Sequence, residues 1–109
     1  MQTHILTLDL KDDSALIAEY ERYHEKIPAA IDKSIRDAGI TRLDIYRLGT
    51  RMFMIIEASD AFSFEKKSQM DAGNPDVQAW ENLMWQFQKA LPQAKPGEKW
   101  LLMKKIFEL

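Results

Sequence analysis

Over the first ten residues His4, Leu6, Leu8 and Leu10 alternate with Ile5, Thr7 and Asp9, the two-residue period of a strand with unlike faces, and this predicts a strand from Gln2 to Leu10. Asp12, Asp13 and Ser14 then offer N-cap oxygens. Behind them Leu16, Tyr20, His24, Ile27, Ile31, Ile35 and Ala38 recur at spacings of four and three, one face of a helix that Gly39 closes. Pro28 lies inside this stretch and has no N–H for the carbonyl of His24, so a kink or a restart is expected within a turn of the histidine. Such a bend leaves a polar carbonyl near it.

The two-residue period returns over Thr41 to Leu48 and Arg51 to Ala58, with Gly49-Thr50 between them as a hairpin loop. Pairing Leu48 with Arg51 sets the register. It puts Leu43/Ile56 and Ile45/Met54 on one face, and Arg42/Glu57, Asp44/Ile55 and Tyr46/Phe53 on the other. Ser59 or Asp60 is expected to cap a short helix reaching Ala72. Asn74-Pro75 opens another, with a stripe at Val77, Trp80, Met84, Phe87 and Leu91 that Pro92 ends. After the polar stretch P-Q-A-K-P-G-E-K, the terminal W-L-L-M-K-K-I-F-E-L has strand-like composition.

The predicted order is β-α-β-β-α-α-β, an α+β, ferredoxin-like split βαβ arrangement of the dimeric α/β-barrel type. A four-stranded antiparallel sheet carries its helices on one face. The opposite face holds Phe53, Ile55 and, by this reading, Leu102, more apolar surface than a monomer usually leaves in water. A homodimer built on that face is expected.

Composition narrows the function. With 109 residues, 46% hydrophobic and 29% charged, the chain suits one domain spanning 1–109. Its formal charge of −2 and its short basic doublets Lys66-Lys67 and Lys104-Lys105 offer no continuous footprint for a nucleic acid. The chain has no cysteine, which excludes disulfides, thiolate catalysis and Cys-ligated metals. The two histidines lie far apart in sequence without carboxylates at ligand spacing, so no metal is expected, and no Gly-rich phosphate loop is present. The N-terminus has no basic-then-apolar leader and the longest apolar run is Met52 to Ile56, so the expectation is a cytoplasmic protein with no membrane partner.

His24 is the residue whose chemistry asks for an explanation. It stands one turn after Tyr20 on the face that should be buried, where a leucine would pack better. One reading is structural, with its ring nitrogens satisfied by a carbonyl and a hydroxyl. The other is functional, because imidazole is the side chain that both takes and gives a proton near neutrality. Tyr20 is either an amphipathic core aromatic or a proton donor and relay. His4, at the start of the first strand, reads as structural. Trp80, Met84 and Trp85 form core or, alternatively, a flat apolar wall with indole N–H donors suited to a sugar.

Several blocks in the same order give the chain a resemblance to the L-rhamnose mutarotase family, and within it to the branch associated with L-fucose. They are E-Y-E-R-Y-H at 19–24, the A-G-I before the second strand, I-Y-R-L-G-T-R-M-F-M-I-I-E at 45–57, F-E-K-K-S-Q-M-D-A at 64–72, N-P-D-V-Q-A-W-E-N-L-M-W at 74–85 and the tail P-G-E-K-W-L-L-M-K-K-I-F. The resemblance implies a dimeric α/β fold, no cofactor, and interconversion of the α and β anomers of a free 6-deoxy-hexose, L-fucose first and L-rhamnose second. It implies Tyr20 and His24 as the catalytic pair, with Tyr46 and Trp80 as substrate contacts; Met84 and Trp85, on or beside the same helix face, are the further candidate substrate contacts that the stripe itself offers. Anomer exchange needs a base at the O1 hydroxyl and an acid at the ring oxygen, and neither electrons nor charge leave the substrate. The family usually carries tryptophan, proline and glutamate in succession after the histidine, where this chain has Pro28-Ala29-Ala30. An expected sugar wall and a polar contact are thereby removed. Two other readings of the same scaffold are a sugar-binding or regulatory module without catalysis and, by fold analogy, an oxygenase or haem protein using His24.

Overall fold

The computed structural model describes residues 1–109. Its elements are β1 (Gln2–Leu10), α1 (Ser14–Glu25), α2 (Ala29–Asp37), β2 (Ile40–Leu48), β3 (Arg51–Ala58), α3 (Phe64–Ala72), α4 (Pro75–Trp85), β4 (Gln88–Lys89) and β5 (Leu101–Leu102). The sheet is antiparallel in the order β2-β3-β1, and β4 and β5 share the outer edge of β1. The architecture is the expected ferredoxin-like α+β fold with an open sheet, the edge being built from two short strands instead of one.

On β1 the alternating Leu6, Leu8 and Leu10 are buried, facing Met54 and Met52 of β3 in register. Asp13 caps α1 by accepting from the N–H groups of Ala15 and Leu16 at 3.0 and 3.1 Å. The helix stops at Glu25 and Pro28 takes the N-cap position of α2, so the proline produces a restart. Gly39 follows α2 at φ +94°, and a Cβ there would come within 2.8 Å of the Ser59 hydroxyl. The positive φ favours glycine there, and any Cβ would also oblige the Ser59 hydroxyl to swing aside.

The β2–β3 hairpin has the register expected from Gly49-Thr50, with Leu43 opposite Ile56, Ile45 opposite Met54 and Tyr46 opposite Phe53. Strand β2 begins one residue earlier than expected. A bulge between Ile40 and Arg42 changes the parity, so that Ile40, three residues before Leu43, reaches the same covered face and is 3% exposed.

Three further boundaries differ from expectation. Neither Ser59 nor Asp60 caps α3; Ser59 is tied to Gly39 by its own N–H and to Phe62 by its carbonyl, and the cap is Ser63, which accepts from the Lys66 N–H at 3.1 Å. Helix α4, capped by Asn74 as expected, ends at Trp85 rather than near Leu91. Gln86 and Phe87 donate to the carbonyls of Leu83 and Met84, a tightening that turns the chain into β4. Phe87 and Leu91 are buried as loop and turn residues, because a three-and-four spacing does not distinguish a continuing helix from a chain folding back onto the same core. Of the terminal strand-like stretch only Leu101–Leu102 pairs, with Thr7 and Leu6. The register aligns Leu102 with Leu6 and Leu101 with Thr7, so Leu102 does not share the open face with Phe53 as expected, yet at the sheet edge it is still 57% exposed.

The helices lie over one sheet face in two buried clusters. Leu8, Leu10, Tyr20, Met52, Met84 and Phe87 make one, and Leu6, Ile40, Ile56, Ala58 and Phe62 the other. Trp100 packs against both. No helix is long and apolar enough to cross a membrane.

Candidate functional site

Between the two clusters the helices do not close on the sheet. A cavity of about 620 Å³ opens there, lined by Tyr20 and His24 from α1, Ile31 from α2, Leu43, Ile45, Met54 and Ile56 from the sheet, and Trp80, Met84 and Trp85 from α4. Its size is that of a small-molecule site.

His24 is held by its own helix. Nδ1 donates to the Tyr20 backbone carbonyl at 2.8 Å, a group that can only accept, so the hydrogen of the neutral ring sits on Nδ1 and the Nε2 lone pair is free. The acceptor at Nδ1 is thus the Tyr20 carbonyl, one turn back along α1. The Tyr20 ring lies against the imidazole with centroids 4.4 Å apart, and Trp80 meets it edge-on at 5.5 Å.

Tyr20 is 4% exposed. Its phenol oxygen accepts from Gln88 Nε2 at 3.2 Å, leaving the O–H free to donate. Burial pushes the phenol up from its ordinary pKa, the Gln88 hydrogen bond pulls it back, and the Glu81 carboxylate adds to the rise. The group is a neutral donor at neutral pH.

The remaining wall is polar on one side and aromatic on the other. Lys99 binds the Glu81 carboxylate at 2.7 Å and backbone carbonyl at 2.8 Å, and its ammonium lies 4.7 Å from the Trp85 ring centre. Lys67 pairs with Asp71. Both cavity lysines are thus neutralised by carboxylates of the same wall, which suits an uncharged ligand rich in hydroxyls.

The structure brings His24, Tyr20, Trp80, Met84 and Trp85 to one cavity. It does not bring Tyr46 there. Tyr46 is on the open face, 56% exposed, and lines a second, smaller depression of about 430 Å³ with Tyr20, Glu21 and His24. The β2 residues on the cavity wall are Leu43 and Ile45. Pro28, Ala29 and Ala30 are also off the wall, which α2 supplies through Ile31, Ser34 and Ile35. His4 is remote from His24, its Nε2 3.0 Å from Gln2 and its ring against Phe64. Sequence reasoning missed Gln88, the Glu81–Lys99 pair and Trp100. The only signal for Trp100 was an indole opening the strand-like terminal stretch, and for Gln88 there was none.

The L-rhamnose mutarotase family model matches residues 3–109. An L-fucose mutarotase of Xanthomonas campestris pv. campestris is 46% identical over 111 residues, covering 100% of this chain and 89% of that protein. A UPF0734 protein of Dictyostelium discoideum is 31% identical, covering 99% of this chain and 90% of its own length. Among solved structures, the L-rhamnose mutarotase of Formosa agariphila superposes with a TM-score of 0.73 at 14% identity, over 100% and 99% of the two chains. Tetracenomycin F2 cyclase of Streptomyces glaucescens does so with 0.62 at 13%, again over 100% and 99%. At these identities the structures speak for the fold alone.

Proposed function

The chain belongs to the L-rhamnose mutarotase family and is an isomerase acting on carbohydrates; from that premise we propose that it interconverts the α and β anomers of a free 6-deoxy-hexose, L-fucose before L-rhamnose, with His24 and Tyr20 as its proton-transfer pair. The observation that carries the assignment of roles is the Nδ1 contact of His24 with the Tyr20 carbonyl at the cavity wall. It leaves Nε2 as the base.

Nε2 takes the proton from the O1 hydroxyl as the C1–O5 bond breaks, and the Tyr20 O–H delivers a proton to O5. The product is the open-chain aldehyde and a temporarily charged pair. Rotation about C1–C2 presents the other face of the carbonyl, O5 re-adds to C1 while returning its proton to Tyr20, and the imidazolium protonates O1. Atoms and charge balance over the cycle. Trp80 and Trp85 offer flat apolar walls for the C–H face and methyl group of the sugar, and the paired lysines favour a neutral sugar over a sugar phosphate. L-Fucose is placed first because the relative at 46% identity carries that name.

Saturation-transfer NMR between the two anomers, with catalytic amounts of protein, tests the reading. Accelerated exchange on L-fucose is expected, with slower exchange on L-rhamnose and none on glucose 6-phosphate. Saturable sugar binding without faster exchange would replace the enzyme by a binding module. A homodimer is part of the reading, supported by the open sheet face, where Phe53 and Tyr46 are exposed beside Ile5 and Ile55 in register.

A further inference from the structure

Gln88 is the polar residue among the fully buried positions, 4% exposed. It follows the turn that ends α4 and pairs with Leu10 on the β1 edge, so its backbone is fixed by the sheet while its side chain lines the cavity beside Tyr20 and His24. Its Nε2 is used on the Tyr20 phenol, and its Oε1 is buried without a partner. Exchanging the two ends of the amide does not remove the feature. The phenol would then donate to Oε1, and the NH2 group would be the unpartnered one. A buried amide end left unpaired is unfavourable by more than an ordinary hydrogen bond contributes, and this one belongs to a side chain in the lining of a cavity whose proposed ligand is a ring of hydroxyls.

We infer that Gln88 is a substrate-positioning residue whose free amide end binds one ring hydroxyl of the sugar and sets its orientation against His24. The inference rests on the mutarotase reading. A hydroxyl both donates and accepts, so it satisfies the amide in either orientation. The Gln88–Tyr20 bond links this contact to the phenol, so the hydroxyl that is read and the ring oxygen that is protonated are held by one connected pair of side chains.

The test pairs Gln88→Met, similar in length without the amide, with a series of L-fucose analogues each lacking one ring hydroxyl. The unmutated protein should bind one analogue about 3- to 10-fold more weakly than L-fucose, the range of one neutral hydrogen bond, and Gln88→Met should bind that analogue and L-fucose alike. KM for L-fucose should rise by a similar factor while kcat changes less, because a contact away from C1 holds ground and transition states equally. In the sugar-free protein Gln88→Met should melt no lower than the unmutated chain, whereas a purely structural glutamine predicts a clear fall. In the unmutated protein the Gln88 side-chain amide resonance should shift as L-fucose is added. Anomer exchange that proceeds while Gln88→Met keeps the full discrimination, or while the amide resonance stays unmoved at saturation, overturns this inference alone. An unmutated protein that neither binds nor exchanges any sugar overturns the mutarotase reading and this inference with it.

Discussion

The Nδ1 of His24 donates to the backbone carbonyl of Tyr20 at 2.8 Å, while the Tyr20 ring lies 4.4 Å from the imidazole. The four-residue spacing on α1 therefore does two separate things. The backbone of Tyr20 selects the tautomer of His24, and its side chain supplies a neighbouring O–H kept neutral by burial. A base and an acid are set side by side by one turn of helix.

His24→Gln should keep the fold and lose anomer exchange by about 10²–10⁴-fold, the usual contribution of a general acid–base group. Glutamine reaches the same carbonyl but does not titrate, so unfolding stability should change by no more than about 1–2 kcal/mol. Exchange NMR and a denaturant melt check the two halves. Parent-like exchange in a folded His24→Gln protein would return the histidine to a structural role.

Tyr20→Phe should slow exchange less than His24→Gln, and the two losses should not add, because the residues act as one unit. Its pH signature is independent of activity. The folded phenol has a raised pKa through burial, so the folded state holds its proton where the unfolded chain has begun to lose it. Stability from the neutral phenol is present in full below the unfolded value of about 10 and is lost as pH rises through the window up to the folded value. Denaturant melts between neutrality and strong alkali should show the parent losing stability more steeply than Tyr20→Phe at the alkaline end. Parallel curves would refute the placement of the phenol in a dry site.

Local pattern made much of this arrangement readable. The Gly49-Thr50 loop fixed the hairpin register because a two-residue connection leaves one pairing, and Pro28 marked the α1–α2 break because it lacks a donor. Tyr20 and His24 were visible together because a titratable group on an apolar stripe is anomalous. What escaped depends on contacts distant in sequence. Ile40 needs the bulge at Thr41 to reach the core, and Trp100 and Gln88 become site residues only once β5 and β4 settle on the edge of β1. Tyr46 failed to reach the cavity for the same kind of reason. Its parity in β2 gives it the open face, while Leu43 and Ile45 take the cavity side.

The stretch Pro28-Ala29-Ala30 lacks the indole and carboxylate expected from the family pattern, yet Trp80, Trp85 and Trp100 all line the cavity. Replacing the three residues together, Pro28→Trp, Ala29→Pro and Ala30→Glu, should change L-fucose affinity by less than about threefold, within the reach of one weak contact. Trp100→Leu should weaken binding more. Calorimetric titration decides this, and a gain of tenfold or more in the triple variant would mean that the existing indoles do not supply the wall.

The open sheet face yields the last prediction. Phe53 is 43% exposed and sits opposite Thr7 and Tyr46, while its neighbours Met52 and Met54 point into the covered side. A lysine at position 53 would place a charge in the middle of the apolar surface without touching either buried cluster, so folding should be little affected, but burying that charge against a second copy would be strongly unfavourable. The parent should sediment as a dimer at micromolar concentration and Phe53→Lys as a monomer. The cavity is walled within a single chain, so the monomeric variant should still exchange anomers, at a rate within a few-fold of the parent. A monomeric parent would sink the dimer proposal, whereas a monomeric variant that folds but has lost all exchange would mean that the partner subunit completes the site.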